Sequence, residues 1–200
     1  MDIIQTVKIS YDKIAAEYYQ FRDLKKMNPE LEKFSELLTN KGRVLDAGTG
    51  AGMPVARFLV NKGLQVTGID ISESMIVAAK KNVPEAEFFQ LNILDLNFSE
   101  NTFDGIICVY TLWHIPRSKH REIFSNFKRM LKHNGILMIN TGIRESDNMS
   151  LFFGQPMLWS NNNPKETLDQ ILKLGFEIIF EGILERGGEH QYWIYARCKK

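Results

Sequence analysis

The chain has 200 residues, of which 44% are hydrophobic and 24% charged, a composition typical of a single soluble globular domain. Its formal net charge of +1 gives no electrostatic reason to expect nucleic acid or an anionic membrane as the main partner. The two cysteines do not suggest a disulfide framework, the first residues lack a signal-peptide pattern, and no run approaches the roughly 20 apolar residues of a membrane span, so we expect a cytoplasmic protein.

Two helices are predicted before the first strand. Ser10 is expected to cap the first helix, and Asn28-Pro29 provides the N-cap and first turn of the second. The apolar stripe of the first helix consists of Tyr11, Ile14, Tyr18 and Phe21. These segments form a predicted N-terminal helical region over residues 1–42.

From Arg43 onward, apolar strands alternate with segments of helical periodicity. The predicted strands are 43–47, 65–69, 86–91, 103–110 and 136–141, and the helices are 54–61, one capped by Ser72, about 118–132, and one opened by the capping box at 163–166. Such alternation predicts an α/β fold with a mostly parallel sheet and helices on both faces. A hairpin over 176–185 and 189–197, turning at Gly187-Gly188, adds an antiparallel strand.

The first strand ends in three glycines spaced two apart, within a D-x-G-x-G-x-G run from Asp46 to Gly52. Such a turn brings backbone N–H groups up to a ligand without interference from Cβ atoms. Asp70 follows Asp46 by 24 positions and ends the second strand, where a carboxylate can meet ribose hydroxyls. A dinucleotide fingerprint would instead place its third glycine at Met53.

This pattern resembles motif I of the class I S-adenosylmethionine-dependent methyltransferases, and Asp70 falls where that family carries its ribose-binding acid. The resemblance covers about residues 8–142 by motif and implies one doubly wound, seven-stranded domain whose seventh strand lies antiparallel beside the fifth. It also implies S-adenosyl-L-methionine as cofactor, and in-line methyl transfer to N or O of a small-molecule acceptor. A nicotinamide-dependent (NAD) oxidoreductase, a non-catalytic S-adenosylmethionine-binding protein and a turn that binds nothing remain the alternatives.

The resemblance also assigns expected roles around the cofactor. The turn 47–52 would hold the methionine portion, with Asp46 attracting its ammonium, and Asp70 would accept from both ribose hydroxyls. Ile71 and Met75 would pack on the adenine. The full set of cofactor-binding candidates is Tyr11, Tyr18, Asp46, Ala47, Gly48, Thr49, Gly50, Asp70, Ile71, Met75, Asn92, Ile93 and Val109.

Two of these segments carry open alternatives. Asn92 stands where the family commonly has aspartate, in a loop where the backbone N–H of Ile93 would meet a ring nitrogen; Asn92 either accepts from the adenine amino group or is a turn residue. Tyr11 and Tyr18 match a lid that folds over the cofactor, or they pack on the core.

The acceptor side is predicted after the fourth strand. His114 is the candidate general base, or else it packs at the start of the next helix. Tyr110 is a second candidate, which would hydrogen-bond the substrate or contact the cofactor. Residues 142–163 are predicted to form a long loop over the acceptor site. Trp113, Phe153 and Trp159 are the candidate substrate walls, the last two being alternatively anchors for that loop. No metal-ligand spacing is seen.

Overall fold

The structure is a computed structural model that describes residues 3–21, 27–186 and 188–200. The helices are α1 (Ile3–Phe21), α2 (Asn28–Glu36), α3 (Val55–Asn61), α4 (Glu73–Asn82), α5 (His120–Met130) and α6 (Pro164–Lys173). The strands are β1 (Arg43–Ala47), β2 (Gln65–Asp70), β3 (Glu87–Gln90), β4 (Phe103–Cys108), β5 (Leu131–Thr141), β6 (Ser146–Phe152), β7 (Gln155–Asn161), β8 (Phe176–Arg186) and β9 (Glu189–Cys198).

The main sheet has seven strands in the order β3-β2-β1-β4-β5-β9-β8. Strands β1 to β5 are parallel, and β9 runs antiparallel to both β5 and β8. The predicted mostly parallel α/β sheet with its antiparallel hairpin is therefore confirmed. Strand order reverses between β1 and β4, which places a crevice at their carboxyl ends.

The sheet is covered on both faces, as its apolar strands require. One face packs against α5 through Ile123, Phe124 and Phe127, all fully buried. The other face includes Trp193 and Tyr195, which share a core with helices α2 and α3. The turn predicted at Gly187-Gly188 includes Gly187, which lies outside the described residues; the strands on either side form as predicted.

Helix α1 begins at Ile3, so the prediction that Ser10 caps it is wrong. Ser10 lies inside the helix, and its hydroxyl donates to the carbonyl of Pro156, 2.7 Å away. Helix α5 also ends earlier than predicted, at Met130, and β5 begins at once. A register irregularity before Ile136 accommodates the Asn134-Gly135 segment in the strand.

Residues 142–163 are not an irregular loop, contrary to the prediction. They form a separate hairpin of β6 and β7, paired from Ser146↔Asn161 to Phe152↔Gln155. Its two-residue turn, Phe153-Gly154, has φ of 48° and 72°, the positive values that suit a hairpin with right-handed strand twist. Met157 and Leu158 bury their side chains against α1, so the hairpin is fastened to that helix.

Candidate active site

A pocket opens at the carboxyl ends of β1, β2 and β4, beneath helix α1. It contains about 720 Å³ of empty space, a volume that includes its open mouth. Its lining residues are Ile4, Val7, Tyr11, Tyr18, Gly48, Gly50, Ile69, Asp70, Ile71, Met75, Leu91, Asn92, Ile93, Val109, Tyr110, Thr111, His114 and Ile115.

The glycine turn after β1 is tied to the end of β2. The backbone N–H groups of Gly48 and Thr49 both donate to the Ile69 carbonyl at 2.9 Å, and the N–H of Gly50 donates to Asp70 Oδ2 at 2.9 Å. These N–H groups therefore fix the turn, whereas the sequence pattern had predicted that they would face a ligand. Gly48 and Gly50 both line the pocket, and Thr111 occupies the space that a Cβ at Gly48 would need.

Asp70 lies in the pocket wall with both carboxylate oxygens held. Oδ2 accepts from Gly50, and Oδ1 accepts from the backbone N–H of Ser72 at 2.9 Å. Burial raises the pKa of Asp70 to about 6, the nearby charge of Asp12 adds to the rise, and the backbone donors oppose it. The group is thus ionised at neutral pH, and each oxygen has a second lone pair for a ligand hydroxyl.

Three of the predicted cofactor-binding residues, Asp46, Ala47 and Thr49, are buried and do not line the pocket. Asp46 is 1% exposed and accepts from Thr49 Oγ1 at 2.7 Å. Ala47, next to Asp46 in the chain, is fully buried. Their geometry shapes the turn from beneath.

The end of the pocket beyond Asp70 is mainly apolar. Ile71, Met75 and Ile93 line it, as expected for a surface that packs on a flat base. Asn92 also lines it, and its Oδ1 accepts from the backbone N–H of Leu94 at 3.1 Å. The Asn92 oxygen therefore caps the short 3-10 turn that follows, which is the turn role considered for this residue.

Helix α1 roofs the pocket with two tyrosines whose rings meet edge to face, 5.9 Å apart between the centroids of Tyr11 and Tyr18. Between them in sequence, Asp12 reaches the start of α4. Its Oδ1 accepts from the Ser72 hydroxyl at 2.7 Å and from the Ser74 N–H at 3.2 Å. Burial alone would raise the pKa of Asp12, but these bonds and the ion pair with Lys8 hold it below the usual value.

Sequence reasoning missed this role of Asp12. Its position directly after Tyr11, in a helix predicted to be a lid, was the available signal. The contact itself joins residues 60 positions apart, which the periodicity of one helix cannot reveal.

The segment after β4 is held by hydrogen bonds to buried polar groups. His114 Nδ1 donates to the Leu158 carbonyl at 2.9 Å, and Nε2 accepts from the Trp113 indole at 3.0 Å and the Tyr11 hydroxyl at 2.8 Å. Burial lowers the pKa of His114 to about 4, although the bond to Leu158 opposes this shift. The imidazole is therefore neutral at physiological pH.

Tyr110 has φ of 58°, a left-handed conformation that is strained for an aromatic residue. Two buried side chains hold it there. The Tyr110 N–H donates to Asn140 Oδ1 at 2.7 Å, and the phenol donates to Gln191 Oε1 at 2.9 Å. Sequence reasoning missed Asn140 and Gln191, because β5 and β9 become neighbours only in the folded sheet.

The candidate substrate walls do not line the pocket. The Trp159 ring packs on His114 with centroids 5.0 Å apart, and Phe153 packs on Tyr18 with centroids 6.0 Å apart. Trp113 donates to His114, as described above. The β6–β7 hairpin thus supports the helix and the imidazole from outside, which matches the anchoring alternative for Phe153 and Trp159.

Comparison with known proteins shows similarity to methyltransferases. A family model described as a methyltransferase domain matches residues 44–135. The 24-methylenesterol C-methyltransferase 3 of Arabidopsis thaliana is 33% identical over 102 residues, which are 48% of this chain and 28% of the relative. The demethylmenaquinone methyltransferase of Thermotoga maritima is 34% identical over 105 residues, 52% of this chain and 44% of the relative.

Among solved structures, the magnesium protoporphyrin IX methyltransferase of Synechocystis, with S-adenosylmethionine bound, superposes with a TM-score of 0.80. It is 15% identical, over 100% of this chain and 98% of that one, so the likeness shows the fold. The chain is therefore similar to methyltransferases over residues 44–135 and has the fold of solved S-adenosylmethionine-dependent methyltransferases. It spans between 28% and 49% of the length of the first four curated relatives it matches.

S-adenosylmethionine is bound in the solved Synechocystis methyltransferase, and the pocket of this chain has features that fit the same molecule. The Asp70 carboxylate can accept hydrogen bonds from the two ribose hydroxyls. The apolar end of the pocket suits the adenine base, and the turn at Gly48 and Gly50, which carries no side chains there, suits the methionine portion. In the described residues, no helix has both the length and the apolar character that crossing a bilayer requires.

Proposed function

We propose that the protein transfers a methyl group from S-adenosylmethionine to nitrogen or oxygen of a small-molecule acceptor. The observation that carries this proposal is the convergence of Asp70, the glycine turn and the tip of β4 on one pocket roofed by α1. In an open parallel sheet this is the position where ligands bind.

The residues around the cofactor divide by chemistry. Asp70 would accept from both ribose hydroxyls, while Ile71, Met75 and Ile93 would pack on the adenine. Tyr11 and Tyr18 would cover the cofactor from α1, which the contact of Asp12 with α4 holds closed. The bound cofactor supplies a methyl group on positively charged sulfur, so the protein's main task is alignment.

The acceptor would approach the methyl group beside Val109, Tyr110 and Thr111, where the chain leaves β4. His114 stands at this end, and we assign it a positioning role. Its Nε2 already accepts from Trp113 and Tyr11, and burial keeps its pKa low, so it is a weak proton acceptor. Its effect is to fix the Tyr11 hydroxyl over the pocket.

Enclosure supports a small acceptor. The roof helix is clamped from outside by the β6–β7 hairpin, through the Ser10–Pro156 bond and the apolar contacts of Met157 and Leu158. Helix α1 therefore covers one side of the pocket, which favours an acceptor small enough to enter through the remaining mouth.

The test is transfer of radiolabel from methyl-labelled S-adenosylmethionine into a cell extract separated by size. We expect label in the fraction of small molecules, and a large loss of labelling rate for Asp70→Ala. Label confined to protein or nucleic acid would contradict the small-molecule proposal, and no label in any fraction would contradict methyl transfer.

A further inference from the structure

We propose that Asn140 and Gln191 are positioning residues for methyl transfer, and that they act through the backbone conformation of Tyr110. This inference rests on the proposed methyl transfer and adds two residues to the machinery of the acceptor side. Neither belongs to the pocket lining, whereas Tyr110 does, so their effect on the reaction has to pass through Tyr110.

The conformation of Tyr110 is the feature to be explained. Five non-glycine residues in the described part of the chain have a positive φ, and among these five only Tyr110 lines the pocket. Lys41, Asn101 and Asn134 are exposed, and Phe153 belongs to a two-residue hairpin turn. A left-handed aromatic residue costs free energy and persists only where its surroundings impose that conformation.

The surroundings hold Tyr110 at both ends of the residue. Its backbone N–H donates to Asn140 Oδ1 at 2.7 Å, and its phenol donates to Gln191 Oε1 at 2.9 Å. Asn140 Nδ2 donates to the same Gln191 oxygen at 3.3 Å, so the three residues form a closed ring of hydrogen bonds. Gln191 is fixed in turn by the Glu189 carboxylate, which accepts from its Nε2 at 3.2 Å.

The burial of the two amides argues against a role confined to joining strands. Asn140 is 0% exposed and Gln191 is 2% exposed. Burying an amide is unfavourable unless hydrogen bonds compensate it, and here bonds from both amides go to one strained residue of the pocket wall. Strands β5 and β9 already pair along their backbones from Ile136↔Arg197 to Thr141↔Tyr192.

Tyr110 determines where the chain runs after β4. The next residue, Thr111, lies against the glycine turn, since a Cβ on Gly48 would be 2.0 Å from Thr111 Oγ1. Gly48 belongs to the turn proposed to hold the methionine portion of the cofactor. The ring of hydrogen bonds therefore sets the spacing between the acceptor segment and the cofactor, on which the rate of an in-line displacement depends steeply.

The cofactor half of the pocket is held independently of this ring. The N–H groups of Gly48 and Thr49 donate to the Ile69 carbonyl, and the N–H of Gly50 donates to Asp70. These bonds join the turn to β2 and involve neither β5 nor β9. Changes in the two amides should therefore alter the rate of transfer far more than the affinity for the cofactor.

The experiment compares the full chain with Asn140→Leu and Gln191→Met, which remove the amides at similar size. We expect each variant to transfer label from methyl-labelled S-adenosylmethionine into the small molecules of a cell extract roughly tenfold to a hundredfold more slowly. Calorimetry on the same folded proteins should find the dissociation constant of S-adenosylhomocysteine changed by about twofold at most, as for sites that share no contacts.

Two further variants separate positioning from stability. Tyr192→Phe is the matched control, because it removes a 2.8 Å bond from the neighbouring phenol of β9 to Glu181 and Tyr192 does not line the pocket. We expect it to lower the free energy of unfolding and to leave the transfer rate unchanged. Gln191→Glu keeps an oxygen that can accept from Tyr110 and Asn140, so it should restore most of the rate lost in Gln191→Met.

The proposal would be overturned by amide variants that transfer label at the rate of the unaltered chain. It would also be overturned if transfer and S-adenosylhomocysteine affinity fell in parallel, or if Gln191→Glu were no faster than Gln191→Met. The two Gln191 variants decide the matter if Asn140→Leu does not fold. An unaltered chain that labels nothing would instead contradict the proposed methyl transfer.

A structural measurement tests the same claim without reference to activity. Crystal structures of Asn140→Leu and Gln191→Met should show Tyr110 at a negative φ and Thr111 displaced from Gly48. A Tyr110 that stays left-handed in both variants would overturn the positioning role, whatever the labelling result.

Discussion

Gly48 meets two separate requirements. Its φ is +83°, and a Cβ placed there would lie 2.0 Å from Thr111 Oγ1. Gly63 has a similar φ of +79° but no atom within 4 Å of such a Cβ, so it isolates the cost of backbone conformation. We expect Gly63→Ala to lower the free energy of unfolding by about 1 kcal/mol, and Gly48→Ala by about 3 kcal/mol because overpacking adds to it. Urea unfolding measures both; equal losses would show that the contact with Thr111 is unimportant.

Asp70 predicts a pH dependence of cofactor binding. Its pKa is raised to about 6 in the unliganded protein, and ribose hydroxyls favour the ionised carboxylate. Affinity should therefore fall as pH drops through 6, with the dissociation constant of S-adenosylhomocysteine rising about tenfold between pH 7.5 and 5. Because the pKa of His114 is about 4, the imidazole stays mostly neutral between pH 7.5 and 5, and its titration does not account for the change in affinity.

The matched variant is Asp70→Asn, which keeps the shape and removes the charge. It should weaken binding by about 1–3 kcal/mol and remove the pH dependence over the same window. Isothermal calorimetry at several pH values provides the measurement. A wild-type affinity that stays constant from pH 7.5 to 5 would show that Asp70 does not accept the ribose hydroxyls.

At the residue scale, the sequence predicts position better than orientation. The spacing of Gly48, Gly50 and Asp70 indicated residues that do converge on one pocket. It could not show that the turn's N–H groups bond to Ile69 and Asp70, or that Asp46 lies beneath the turn. Those directions depend on how far β2 extends beside β1, which is set by the register between the two strands.

At the scale of elements, the contact between α1 and α4 is the best candidate for controlling cofactor exchange. Ser72 links helix α1 to the pocket wall, because its hydroxyl donates to Asp12 of α1 and its N–H donates to Asp70 in the wall. Asp12→Asn weakens the charge-assisted bonds that keep α1 over the pocket. We expect S-adenosylhomocysteine to dissociate roughly fivefold to tenfold faster, and amide hydrogens of residues 3–21 to exchange faster.

The control is Lys8→Met, which removes the ion pair on the outer side of Asp12 and leaves its bonds to Ser72 and Ser74. A partly exposed ion pair of this kind contributes little, at most about 1 kcal/mol. Stopped-flow displacement should therefore find a nearly unchanged dissociation rate for this variant. If both variants behaved alike, the contact with α4 would not be what retains the ligand.

The elements themselves were predictable to different degrees. Helix α4 began where its cap Ser72 indicated, since a local hydrogen bond to Met75 determines that boundary. The β6–β7 hairpin was missed because its turn places Phe153 at a positive φ, where a sequence pattern leads one to expect glycine, asparagine or aspartate. Helix α1 was started too late because Ser10, a typical capping residue, instead bonds across to the hairpin.

At the scale of the whole molecule, the sheet followed from the sequence because alternating apolar strands and amphipathic helices leave few topologies. The buried polar network of Asn140 and Gln191 did not, because strands β5 and β9 are far apart in the chain. The site therefore combines a cofactor half that local motifs indicate and an acceptor half that only the assembled sheet creates.

The most direct measurement of the central claim is calorimetric titration of the folded chain with S-adenosylhomocysteine and, separately, with NAD. We predict saturable binding of one S-adenosylhomocysteine per chain that is weakened in Asp70→Asn, and no binding of NAD at the same concentrations. A folded protein that gives no heat with S-adenosylhomocysteine, or that binds NAD in its place, would contradict the account.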